Sequence, residues 1–201
     1  MASSSYMRGR ASEIKRKGGS RPQAMLWCDN PGTLEDGFYV PQGTEGTDFI
    51  IVSDHNRSEI SFSNERIETR QRMVNGGMRS YWIADKLKVS SSWDKLPSRP
   101  FSRQVTFNND GTIASSPETY ISYTVDGAAG GIDMLNWYST HPGSFYLFLS
   151  YDKYGPEENR DRLQTYSQVL KVYFSSFDYN VEKRSGGGFD FWSINVAMEE
   201  A

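Results

Sequence analysis

Few side chains in this chain could hold a metal or attack a substrate. The two histidines, His55 and His141, stand 86 positions apart, and Cys28 is the single cysteine. A zinc site takes three or four convergent ligands, so it would need both histidines together with carboxylates gathered by the fold. Each histidine is expected in a turn instead. Asp54, His55 and Ser58 can be arranged on paper as acid, base and nucleophile, but three residues of one turn do not place those groups in line. They read as turn-forming side chains. Cys28, beside Trp27 and near Met25, reads as a small buried residue rather than a nucleophile, and a lone cysteine excludes an internal disulfide framework. Glu157 with Glu158, and Glu199 with Glu200, are adjacent pairs that point apart, which an acid–base couple cannot use. GAAGG at 127–131 lacks the Lys and Ser/Thr of a phosphate loop and the spacing of a dinucleotide fingerprint. It and GGG at 186–188 read as flexible turns. No catalytic residue, cofactor or metal is expected, and the chain reads as non-enzymatic.

What the sequence does concentrate is charge. Residues 1–24 carry Arg8, Arg10, Lys15, Arg16, Lys17 and Arg21 against Glu13, a net charge of +5 in a chain of −3, which leaves −8 for residues 25–201. A segment so rich in Ser, Gly and charge cannot bury enough apolar surface to offset its ordering entropy. Its docking site is therefore expected on a neighbouring copy, with folding back onto its own acidic body as the alternative. The same cations could neutralise DNA phosphates, although a body at −8 repels that polyanion. A second concentration lies in RIETRQRM, where Arg66, Glu68, Arg70 and Arg72 alternate with Ile67, Thr69, Gln71 and Met73. That ladder either faces an adjacent subunit or guards a solvated sheet edge. The six basic residues of the arm and the four of the ladder are the candidate inter-subunit contacts.

The elements that would carry these charges are strands. Aromatics make up 14% of the chain, which suits sheets and contact surfaces. After the arm, residues 25–47 read as a long loop with Pro, Gly and acids, followed by a single β-rich domain over 48–201. Phe49 to Val52 and the Ile60/Phe62 segment read as a hairpin around the turn at 53–56. Asn75, Gly76 and Gly77 mark a tight turn between the ladder strand and a long strand ending near Pro97 and Pro100. RQVTFNNDGTIAS is a hairpin candidate around 108–111, and TYISYTV a further strand. IDMLNWYST, between Gly130/Gly131 and His141-Pro142-Gly143, reads as a two-turn amphipathic helix, and Pro156 with EENRDR as a weaker second one. FYLFLSY reads as a strand buried on both sides. A long strand runs from Val169 to Val181 with a bulge at Ser175 and Ser176, and FDFWSINVAMEEA alternates Trp192, Ile194, Val196 and Met198 against Phe191, Ser193, Asn195 and Ala197. No apolar run approaches the roughly 20 residues of a membrane span and no secretory signal is visible, so neither membrane insertion nor export by the usual route is expected.

FDFWSINVAMEEA resembles the closing strand of tail-tube and tail-hub proteins of tailed phages, and RMVNGGMRSYWIADKLKVSSSWDKLPSRPF is similar to a segment of minor tail or baseplate proteins. The resemblance covers about a third of the chain. It implies a mainly β fold, a tail-tube-like β-barrel or sandwich with one or two short flanking helices and an extended N-terminal arm. It further implies a structural subunit of the virion tail, assembled in the host cytoplasm. Its partners would be other copies of itself in a ring and adjacent tail proteins, with DNA only as passing cargo. Length and the basic arm depart from a minimal tube subunit, which leaves hub, tip or tube end open beside the tube itself. The aromatic strands leave a carbohydrate-binding β-sandwich for host recognition as an alternative, and the arm leaves a nucleic-acid-binding module.

Overall fold

A computed structural model describes residues 24–35, 37–104, 119–150, 166–185 and 188–201. Eleven strands and one helix follow in order: β1 (Met25–Cys28), β2 (Thr33–Glu35), β3 (Phe38–Val40), β4 (Phe49–Val52), β5 (Ser61–Arg72), β6 (Met78–Pro97), β7 (Phe101–Gln104), β8 (Thr119–Ser122), α1 (Gly131–Thr140), β9 (Phe145–Leu149), β10 (Gln168–Arg184) and β11 (Asp190–Glu200). The fold is mainly β, as expected. Seven strands form one antiparallel sheet in the order β4-β1-β9-β10-β11-β6-β5, and β2-β3 and β7-β8 form two small hairpin sheets. Among the described residues the large sheet does not close into a barrel, because β4 at one end and β5 at the other do not pair.

Two expectations fail for one reason. Residues 25–47 were expected as loop, but Met25–Cys28 is a fully buried strand between β4 and β9, and 33–40 folds as the β2–β3 hairpin. Likewise β4 pairs with β1 instead of making a hairpin with β5, which lies at the opposite end of the sheet. MLWC and FIIV are short uninterrupted apolar runs, so each needs neighbours covering both faces. Chain proximity would have placed FIIV against the charged β5, where its second face would stay wet.

The remaining elements follow their sequence signals. β11 sits between β10 and β6, with Trp192, Ile194, Val196 and Met198 buried. The bulge at Ser175 has a packing purpose. Phe174 lies opposite Met198 and Phe177 opposite Val196, so the extra residue brings two side chains three positions apart onto one face. Both then contact Tyr138 of α1, at ring distances of 5.3 and 4.8 Å. α1 starts where Gly130 donates its N–H to Asp133 and buries Met134 and Trp137 on the same sheet face. The opposite face is covered at the β1–β9 end by Tyr166 and the β2–β3 hairpin, through the paired backbones of Tyr39 and Tyr166.

GAAGG differs from the flexible turn expected of it. A Cβ on Gly130 would lie 2.7 Å from the Pro97 carbonyl oxygen and 2.9 Å from the Arg99 nitrogen, and one on Gly131 would lie 2.9 Å from the Trp192 ring. Ala128 and Ala129 are fully buried. The small residues let backbone meet backbone. The expected turn at 108–111, the weaker helix after Pro156 and all of residues 1–23 lie outside the described residues.

Candidate assembly surfaces

The charge ladder occupies an exposed strand whose geometry is set by its turn. Asn75 bends the chain back, its side chain accepting from the Gly77 N–H at 3.0 Å, while Gly76 takes φ +80. β5 and β6 then run in register from Ser61 opposite Ser90 to Arg72 opposite Met78. β11 accompanies β6 only as far as Lys88, so the hairpin beyond it projects as a two-stranded ribbon.

On this ribbon Arg66, Glu68, Arg70 and Arg72 do share a face, and mostly find partners at home. The Arg66 Nε donates to Asp85 at 3.1 Å across the strands, and Glu68 pairs with Arg70 and accepts from the Ser80 hydroxyl at 2.7 Å. The Ser80 hydroxyl, and after it Arg70, holds the Glu68 carboxyl below its usual range. Arg72, opposite Met78, has no ion-pair partner among the described residues. On the reverse face Lys88 bridges Glu65 at 2.6 Å and Glu199 at 3.3 Å. The ladder is thus largely neutralised within its own hairpin. Arg8, Arg10, Lys15, Arg16, Lys17 and Arg21 lie outside the described residues.

Sequence reasoning missed what surrounds the ladder. The ribbon exposes Tyr81, Trp82 (63% exposed), Ile83, Met78 and Val74, an apolar load that a solvated outer face does not need. Trp82 stands opposite Glu68 and Met78 opposite Arg72, so both share the ladder's own face, a placement set by the register shift between Ile67 and Glu68 that the sequence does not show.

Two long sheet edges are open. β5 has β6 on one side and no described strand on the other. β9 pairs with β10 only from Gln168 to Val172, so from Tyr173 to Arg184 the outer edge of β10 also lacks a described partner. Phe177, Tyr179 and Val181 line the α1 side of that edge, with Tyr179 stacked on Trp192 at 5.1 Å. A long unpaired edge rich in aromatics is a template for another strand.

The sheet face away from α1 is polar and built of small side chains. In register across four strands stand Ser61, Ser90, Ala197 and Ser176, and beside them Ser92, Asn195 and Asp178. The next row on this face holds Tyr173, Glu199, Lys88 and Ser63, with Lys88 tied to Glu65 and Glu199.

The remaining constellations are structural. The Asp54 carboxylate takes the Arg57 Nε at 2.8 Å and the Ala24 N–H at 3.2 Å, His55 accepts from the Val125 N–H, and Ser58 bonds Ser92, so the three form no relay. His141 caps α1, stacks on Trp137 at 3.8 Å and reaches Asp29 at 3.0 Å. Cys28 is buried, and burial pushes its thiol pKa up. Among the described residues no three His, Cys, Asp or Glu side chains gather as a metal-binding group, and no helix is long and apolar enough to cross a membrane.

Neither a protein-family model nor a curated protein matches the sequence. Among solved structures the chain is similar to one in the tail of an empty GTA particle computed with helical refinement and C6 symmetry. The two share 10% sequence identity and a TM-score of 0.41, over 93% of this chain and 95% of that one.

Proposed function

We propose that this protein is a non-enzymatic structural subunit of a phage tail, in the tube, hub, tip or tube end, whose copies join edge to edge into a ring. The observation that carries this reading is the open seven-stranded sheet with two long edges that have no partner strand among the described residues, β5 and the distal half of β10. Pairing the β5 edge of one copy with the β10 edge of the next uses two different surfaces. Such a contact is heterologous, and closes into a ring when the rotation per copy divides the circle. It would satisfy the ladder's free backbone groups and cover the ribbon's apolar side chains, which a monomer leaves wet.

The polar rows of Ser61, Ser90, Ser176, Ser92 and Asn195 would then line the channel. These short side chains are uncharged or acidic, and Lys88 on the same face is already paired with Glu65 and Glu199, so passing DNA would find few free cations to grip. Arg72 and the basic residues of the arm would hold acidic surface on neighbouring copies or on adjacent tail proteins. Assembly in the host cytoplasm and residence in the virion follow from this role.

The test is the mass and shape of the purified protein, by light scattering and negative-stain microscopy. Rings or concentration-dependent oligomers are expected. Val181→Lys puts a charge on the exposed β10 edge and should yield folded monomers, whereas deleting residues 1–23 should weaken assembly and leave the sheet intact. A wild-type protein that stays monomeric at every concentration overturns the reading, as does salt-sensitive retention on DNA by the monomer.

A further inference from the structure

We propose that His55 is an acid-sensitive latch that holds the segment between β8 and α1 against the turn between β4 and β5. The turn residues Ser53 to Asn56 are tied by three side chains, two of which, Asp126 and His55, join them to the segment Thr124 to Gly130. Asp126, fully buried, accepts from the Ser53 hydroxyl at 2.7 Å and from the Asp54 N–H at 2.9 Å. Trp93 of β6 donates its indole N–H to the Ser53 carbonyl at 2.7 Å. The third stitch is the Val125 N–H, which donates to His55 Nδ1 at 3.1 Å.

That third bond exists in one protonation state only. An Nδ1 that accepts from an amide must be bare, so its imidazole is neutral with the proton on Nε2. On protonation Nδ1 becomes a donor facing a donor, and the stitch turns repulsive. Among the described residues, the charged groups around the ring are Asp126 from the connecting segment, Asp54 and Arg57 from its own turn, and Asp94 of β6, whose N–H bonds the Asn56 carbonyl. Asp54 is occupied by Arg57, and Asp126 by Ser53 and the Asp54 N–H. The carboxylate of Asp126 favours a charged ring, but burial outweighs it and lowers the His55 pKa below its ordinary value of 6.5. The latch is therefore closed at neutral pH and opens below it.

Opening reaches beyond the histidine. Asp54, its chain neighbour, also accepts from the N–H of Ala24, the residue before β1, so the latch sits on a turn that also meets the start of β1. None of this depends on ring formation.

Hydrogen exchange at the Val125 amide, corrected for intrinsic rate, reads the latch directly. In the wild type, protection should fall at least about fivefold between pH 8 and pH 5, the loss of one hydrogen bond, while amides of the β9–β10 ladder stay unchanged. His55→Gln supplies a carbonyl acceptor that does not titrate and should keep protection flat over that range. His55→Phe should lack it at every pH. Wild-type protection that holds steady down to pH 5, or a His55→Gln variant that loses protection as the wild type does, overturns the proposal.

Discussion

Gly130→Ala should be among the most damaging single-methyl changes in the molecule. Its backbone, at φ −89 and ψ −176, suits alanine as well as glycine, so the cost is not conformational. It is steric: the new methyl would stand 2.7, 2.8 and 2.9 Å from the Pro97 oxygen, the Ser98 oxygen and the Arg99 nitrogen, all backbone atoms with no rotamer to escape into. Relief requires moving residues 97–99 away from the start of α1. That movement strains the Ile132 N–H to Ser98 oxygen bond at 2.9 Å and the Ser98 N–H to Asp190 oxygen bond at 2.7 Å. Overpacking costs about 1–3 kcal/mol and the two weakened hydrogen bonds together about 1 kcal/mol, for a total of about 2–4 kcal/mol. In urea, with a slope of about 2 kcal/mol/M, the unfolding midpoint should drop by about 1–2 M. Gly143→Ala is the control, since no atom lies within 4 Å of its added methyl, and it should stay within about 0.5 kcal/mol of wild type. A Gly130→Ala protein as stable as Gly143→Ala would show that the GAAGG segment yields freely, and the close-packing argument would fail.

Trp137→Ala removes the helix side chain that packs on Phe145 and His141, and should cost about 3–5 kcal/mol in the same urea titration. A loss below about 1 kcal/mol would mean that α1 does not hold the sheet. Arg66→Gln breaks an exposed, solvent-screened ion pair and should leave the monomer's urea midpoint where it is in the wild type. If it also leaves the sedimentation profile of the assembled protein unaltered, the ladder guards an edge and does not join subunits. Because His55 has its pKa lowered by burial, the unfolded chain binds its proton more readily. Its contribution to stability is therefore present above pH 6.5 and declines as pH falls below that value, which thermal melts from pH 8 to 5 should record.

Local signals in the sequence were legible at several points along the longer strands, though not in the short β2–β3 hairpin, which reads as loop. The Asn75-Gly76-Gly77 turn, the break at Ser175 and the inward alternation of Trp192 to Met198 each have a cause within a dozen residues. Partners far apart in sequence were not legible. Nothing in MLWC says that it will lie between FIIV and FYLFL, some 20 and 120 residues away, because all three are apolar runs without a period to set their register. The glycines of GAAGG look alike whether they bend a free loop or admit a neighbouring backbone, and only the position of Pro97 to Arg99 distinguishes the two. For the assembly surface, the charged side chains were visible but their cross-strand partners were not. Asp85 and Ser80, which neutralise much of the ladder, come from the returning strand.

The place of β11 has a consequence for biosynthesis. It is the only strand that joins the β4-β1-β9-β10 half of the large sheet to the β6-β5 half, and it is made after both. Until the ribosome has released residues 190–200, β6 and β10 each lack that flank, and the apolar row of Val89, Trp93 and Leu96 has no lid. The two halves of the sheet can therefore be joined only after residues 190–200 have emerged, and a chaperone that shields β6 before then should raise the yield of folded chain.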